Sequence, residues 1–211
     1  MTESEDDHRG AARSRIAERV EETREALISA ARELFGQRGF AAVGTEEIVR
    51  SARLTRGALY HHFEGKEDLF RAVYEAVERD LVDQIAATAL KAKDPVEALR
   101  AGSRAFLDAC EDPAVRRIAL IDAPSVLGWE QWREIGMRYG LGLVQATLKA
   151  AMDAELIERQ PVTPLAHLLL GSIDEAGMLV ARADDGGRTK REVAEAVDRY
   201  LAALVGRPRR R

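Results

Sequence analysis

The stretch TEEIVRSARLTRGALYHHFEGK, Thr45 to Lys66, decides how this chain is read, because it sets two short helical patterns on either side of a tight turn. Thr45 stands where an N-cap is wanted. Glu46 and Glu47 bring the charge that a helix N-terminus favours, and Ile48, Val49 and Ala52 make an apolar face. Leu54 is the apolar residue of the turn. Thr55 then caps a second helix in which Leu59 and Phe63 face inward, leaving Arg56, Gly57, Ala58, Tyr60 and His62 to point elsewhere. A leading turn of Arg-Gly-Ala carries little bulk, so its backbone can come close to another surface. A helix that enters a DNA major groove needs that closeness.

On the N-terminal side, Leu27, Ala31, Leu34 and Phe35 are spaced as one face of an amphipathic helix that ends near Gly36 to Gly39. Residues 1–20 mix acids with Arg9, Arg13, Arg15 and Arg19 and are expected to be a mostly disordered arm. On the C-terminal side, Leu69, Phe70, Val73, Val77 and Leu81 mark a longer helix that stops before Asp94-Pro95. The expected layout is an arm over 1–20, a helix-turn-helix domain over 21–68, a helical body over 69–206 and a basic tail over 207–211.

The segment from about Thr23 to Val77 resembles the DNA-binding domain of the TetR family of transcriptional regulators. The likeness rests on TREALISAARELFGQRGF, on Thr45 and Ile48, on LTRGALYHHF, and on Lys66 followed by Leu69. It implies that Arg56, Gly57 and Ala58 approach base edges while Thr45, Tyr60, His62 and Lys66 meet the phosphate backbone. It also implies a homodimer on double-stranded DNA. Arg53 departs from the pattern, since family members usually carry Gly at that helix end, where the left-handed conformation is common; Arg53 therefore implies mild strain or a differently shaped turn.

Bulk composition agrees with an all-α fold. The 211 residues are 46% hydrophobic and only 5% aromatic, and runs of alternating β-branched residues are nearly absent, so no sheet is expected. A net charge of −4 argues against a protein that coats nucleic acid by charge alone, and confines the positive field to Arg50, Arg53, Arg56 and Lys66. The single cysteine, Cys110, excludes an internal disulfide and fits a reducing cytoplasm; the polar N-terminus offers no apolar run for secretion or membrane contact.

In the body, Asp94-Pro95 and Asp112-Pro113 predict helix starts, and the apolar run from Ile121 to Trp129, broken by Pro124 and Gly128, predicts a kinked turn beside a cavity. Helices follow from Trp129 to Ala154 and from Pro164 to about Asp184, the latter closed by Gly186-Gly187. Thr189 and Glu192 have capping-box spacing for a last helix that runs to Gly206.

Phe106, Cys110, Ile121, Trp129, Trp132, Met137, Tyr139 and Met178, with His167 and Asp174 as polar anchors, are the candidate lining of a pocket for a small apolar or weakly charged effector. Leu169, Ile173, Val180, Val193, Val197, Leu201 and Leu204 are the candidate dimer interface, because a helix apolar on more than one side must be covered on each. The regulator is expected to be a repressor released by its effector, with an activator or a ligand-independent regulator as the alternative. An enzyme would have to be assembled from His167 and an acid. Neither a phosphate loop, a nucleophile motif nor metal-ligand spacing is present, so no cofactor is expected.

Overall fold

The computed structural model describes residues 3–185 and 187–204, with backbone alone over 3–16. The basic tail 207–211, Gly186, Gly206 and the side chains of Arg9, Arg13 and Arg15 lie outside the described residues. Every regular element among those described is helical. The chain divides into two compact units, residues 1–73 and 74–211.

The first unit holds α1 (Glu3–Arg38), α2 (Thr45–Ser51), α3 (Arg56–His62) and the opening turns of α4 (Lys66–Ala89). Leu27, Ala31, Phe35, Ile48, Leu59, Leu69 and Phe70 are fully buried, so the apolar faces legible in the sequence meet in one small core. Three rings knit it together, with Phe35–Phe70 centroids 5.3 Å apart and Phe40–Phe70 centroids 5.1 Å apart, both edge-on. Gly39 (φ +82°) ends α1 in the left-handed conformation.

Two expectations are corrected here. The arm over 1–20 is helical from Glu3, because extending a helix already nucleated at Leu27 needs no new nucleus and the arm is rich in Ala, Arg and Glu. The boundary at 68 moves to Val73, since Leu69, Phe70 and Val73 are buried residues of the first unit.

The second unit contains the rest of α4, α5 (Pro95–Ala109), α6 (Pro113–Val115), a π-helical segment (Arg116–Asp122), α7 (Ala123–Val126), α8 (Trp129–Asp153), α9 (Val162–Arg182) and α10 (Arg188–Leu204). Asp94 accepts the N–H groups of Val96 and Glu97, both at 2.9 Å, and Asp112 does the same for Ala114 and Val115, so both Asp-Pro pairs start helices. Most of the Ile121–Trp129 run is wound rather than looped, because Pro124 falls in the first turn of α7, where its missing N–H costs nothing. Gly128 (φ +81°) supplies the break before α8. The expected capping box is also corrected: Asp185 accepts from the Thr189 N–H at 3.1 Å, and Thr189 lies inside the helix.

Leu148, Met152, Leu165, Leu169, Ile173 and Leu201 form one buried cluster where α8, α9 and α10 meet, and Val197 and Leu204 pack on its edge. α9 is apolar and long enough to cross a bilayer by composition alone. Its burial of Leu165, Ala166, Leu169, Ile173, Ala176 and Ala181 gives that apolarity another use, as the core helix of a bundle.

Candidate nucleic-acid interface and body cavity

α3 is held from beneath by Leu59 and Phe63, both buried, and begun by Thr55, whose hydroxyl accepts the Ala58 N–H at 3.2 Å. Those anchors leave Arg56, Gly57 and Tyr60 exposed along one edge, with Ala58 half-buried. A Cβ placed on Gly57 would meet only the Thr55 hydroxyl at 3.9 Å, so nothing inside the chain requires glycine there. The missing side chain clears space for something outside. Arg56 lies over the Tyr60 ring at 5.4 Å and 3.3 Å from Glu46, an exposed pairing that orients the guanidinium at little cost to its release.

Thr45 does not cap α2; Gly44 occupies the N-cap position and Thr45 is the first helical residue, which leaves its hydroxyl out of any capping bond. Lys66 differs more from expectation. Its ammonium donates to the carbonyls of Phe40 and Val43, each at 3.0 Å, and sits 4.0 Å from the Phe40 ring centre. Two of its three N–H donors are thus spent on the loop before α2, which leaves one for the expected phosphate contact. His62 is half-buried and its pKa is lowered, first by burial and then by the His61 and Arg24 charges, with Glu21 opposing. Arg38, which the sequence reading passed over, donates to the Ala42 carbonyl at 2.7 Å and pairs with Glu47, tying α1 to α2. At the turn itself Arg53 takes φ +57°, the left-handed value that the glycine departure pointed to.

The second unit holds a partly open cavity of about 100 Å³. Phe106, Cys110, Trp132 and Asp174 line it, as anticipated. Ile121, Trp129, Met137, Tyr139, His167 and Met178 do not: Ile121, Trp129 and His167 are exposed, Met178 is buried one turn beyond Asp174 on α9, and Met137 and Tyr139 are half-buried elsewhere on α8. His167 and Asp174 share a helical face by angle but stand roughly 10 Å apart along the axis, and of the two only Asp174 reaches the cavity.

Tyr74, Glu78, Ser103, Arg133 and Thr147, polar residues of the wall, were missed. Tyr74 donates its hydroxyl to the Trp132 carbonyl at 3.2 Å, Glu78 lies one turn further along α4, and Arg133 comes within 3.7 Å of the Asp174 carboxylate. Burial raises Glu78 to about 7, with Asp174 adding to the rise and a hydrogen bond with Tyr74 opposing it. Burial likewise raises Asp174 to about 6 against the pull of Arg133, and the Cys110 thiol is pushed up to about 12, which leaves it unreactive. Tyr74, Glu78, Val82, Ile85 and Ala89 fall on one stripe of α4, so the signal was present in the sequence but hidden beside the stronger Val73, Val77, Leu81 stripe.

Comparison with known proteins separates the same two parts. The family model for bacterial regulatory proteins of the tetR family matches residues 27–73, and the one for the tetracyclin repressor-like C-terminal domain matches residues 96–204. A crystal structure of a TetR-family transcriptional regulator from Pectobacterium atrosepticum is 31% identical, with a TM-score of 0.81 over 90% of this chain and 98% of that one. This chain belongs to the TetR family. The TetC protein of transposon Tn10 from Escherichia coli is 28% identical over 73% of this chain and 78% of its own length. The regulator AcrR of Shigella flexneri is 35% identical over 38% of each chain. Members of the TetR family bind DNA and act as dimers, and this one is a DNA-binding transcriptional regulator.

Within the TetR layout, the candidate dimer residues need reassignment. Leu169, Ile173, Val180 and Leu201 are buried in their own chain, Val197 and Leu204 pack against that core, and Val193 is half-buried. Leu168 (65% exposed), Leu179 (50%) and, on α10, Tyr200 (38%) remain on the outside.

Proposed function

We propose that the protein is a repressor that binds a near-palindromic operator as a homodimer and leaves it when a small molecule fills the cavity of the second unit. The observation that carries this reading is the continuity of α4. One uninterrupted helix supplies Leu69, Phe70 and Val73 to the core under α3, then Tyr74, Glu78, Leu81 and Ile85 to the cavity wall. A shift of the wall is thereby felt at the base of the reading helix. A coupling of about 1–3 kcal/mol suffices to change operator affinity 5- to 150-fold.

Arg56, Gly57 and Ala58 take the base-edge role and Thr45, Tyr60 and His62 the backbone role, while Lys66 shapes the loop between them. Self-association uses the outer face of α9 and α10, where Leu168, Leu179 and Tyr200 stand exposed beside small residues such as Ser172, Ala196 and Ala203. Selection of bound duplexes from a random pool tests the reading. A two-fold symmetric site is expected, with half-sites about 34–36 Å apart or a multiple of that spacing. An asymmetric site, or none, ends it.

A further inference from the structure

The cavity wall is apolar except for Tyr74, Ser103, Cys110, the Trp132 indole and Thr147, which carry no charge at neutral pH, and three charged side chains on three helices: Glu78 of α4, Arg133 of α8 and Asp174 of α9. Arg133 is already matched, its guanidinium 3.7 Å from Asp174 and lying along Gly171, where a Cβ would come within 3.4 Å of it. Glu78 is not matched. Among the described residues no lysine, arginine or histidine pairs with it; its polar neighbours are the Tyr74 hydroxyl, which donates to Trp132, and the like-charged Asp174. A carboxylate in a mostly apolar wall without a countercharge is costly, and that cost is relieved either by a proton or by a cation that arrives with the ligand.

We infer that the cavity takes a compact organic monocation, an ammonium group set against Glu78 with a single ring or short aliphatic body against Leu81, Ile85, Phe106, Val144 and Leu169. This rests on the proposed effector role and adds the chemical class. Size agrees, since an apolar cavity of about 150 Å³ holds benzene and this one, at about 100 Å³, is of that order. Charge agrees too: at pH 8, above the value of about 7 at Glu78 and about 6 at Asp174, two carboxylates and one guanidinium leave one negative charge for the ligand to neutralise.

Three probes of one shape test it: 2-phenylethylamine, 2-phenylethanol and phenylacetate, titrated at pH 8 into the full-length protein without DNA and followed by calorimetry and by Trp132 fluorescence. The amine is expected to bind roughly ten-fold or more tighter than the alcohol, and the acid weakest. Glu78→Gln should bring amine and alcohol to within about two-fold, and measurable alcohol binding by the variant shows the cavity intact. Asp174→Asn should have the smaller effect, because Arg133 already engages that acid. The inference is overturned if the alcohol or the acid matches the amine in the unaltered protein, if Glu78→Gln keeps the preference, or if none of the three binds. Operator binding, measured separately, distinguishes the two failures: amine binding that does not release the operator removes the repressor reading and leaves the cation site standing.

Discussion

Arg53 holds φ at +57° with a side chain that makes the left-handed region unfavourable, at the turn on which the angle between α2 and α3 depends. Arg53→Gly should therefore stabilise the protein by roughly 0.5–1 kcal/mol, read as a shift in the urea midpoint at unchanged m-value. Lys66 poses the opposite case. Lys66→Ala leaves the Phe40 and Val43 carbonyls without their donor and should destabilise by about 1–3 kcal/mol, while the salt dependence of operator binding keeps its slope. A slope lower by about one unit would return Lys66 to the phosphate backbone. At Glu78 the raised pKa sets a pH dependence. The folded protein holds a proton up to about 7 that the unfolded chain releases near 4.5, so the stabilisation is complete below the lower value and is lost as pH rises through the higher one. Tyr74, Cys110, Arg133 and Asp174 are the other ionisable groups on that wall, and Asp174, raised to about 6, acts in the same direction. The thermal midpoint of the empty protein should fall from pH 5 to pH 8, and Glu78→Gln should flatten the fall; a midpoint that rises over that range would contradict the assignment.

At the scale of elements, α9 is set by what its small residues allow. A Cβ at Gly177 would lie 2.6 Å from Cε1 and 2.9 Å from Cζ of Phe106 and 3.1 Å from the Cys110 sulfur. Phe106 lines the cavity, so Gly177→Ala has to move a wall residue or part α5 from α9. A loss of about 1–3 kcal/mol in chemical denaturation is expected, with weaker binding of any cavity probe. Unchanged stability and binding would mean that the two helices are not in such close register. α3 behaves differently, since Gly57 has open space around it and Gly57→Ala should leave stability almost untouched while weakening operator binding. α9 also shows why periodicity misassigned the dimer face. On a helix apolar on several sides, spacing identifies residues that share a side but not which side the chain's own core occupies, and the core occupied Leu169 and Ile173.

For the whole molecule, two reading heads on one operator require the self-contact proposed on α9 and α10. Leu168→Glu with Leu179→Glu places charge on residues that are 65% and 50% exposed in the single chain, so folding should survive while the dimer dissociates. Sedimentation velocity should show a monomer, and operator affinity should fall by ten-fold or more, because one head makes too few base contacts on its own. A variant that stays dimeric would move the interface elsewhere.

Much of this was determined by the order of the residues alone. Helical periods, Asp-Pro starts and the Thr55 cap are local events governed by contacts three or four residues apart, and the small leading turn of α3 is a property of composition, so the helix-turn-helix and the all-α body were legible. Tertiary structure decided the rest. Which face of α9 turns inward, that the Lys66 ammonium reaches two carbonyls more than twenty residues away, and that Glu78 and Asp174 open on the same cavity all depend on how distant segments pack. Side-chain spacing along one helix carries no information about its neighbours, and an ionisable group acquires its working charge only from the surroundings into which folding puts it.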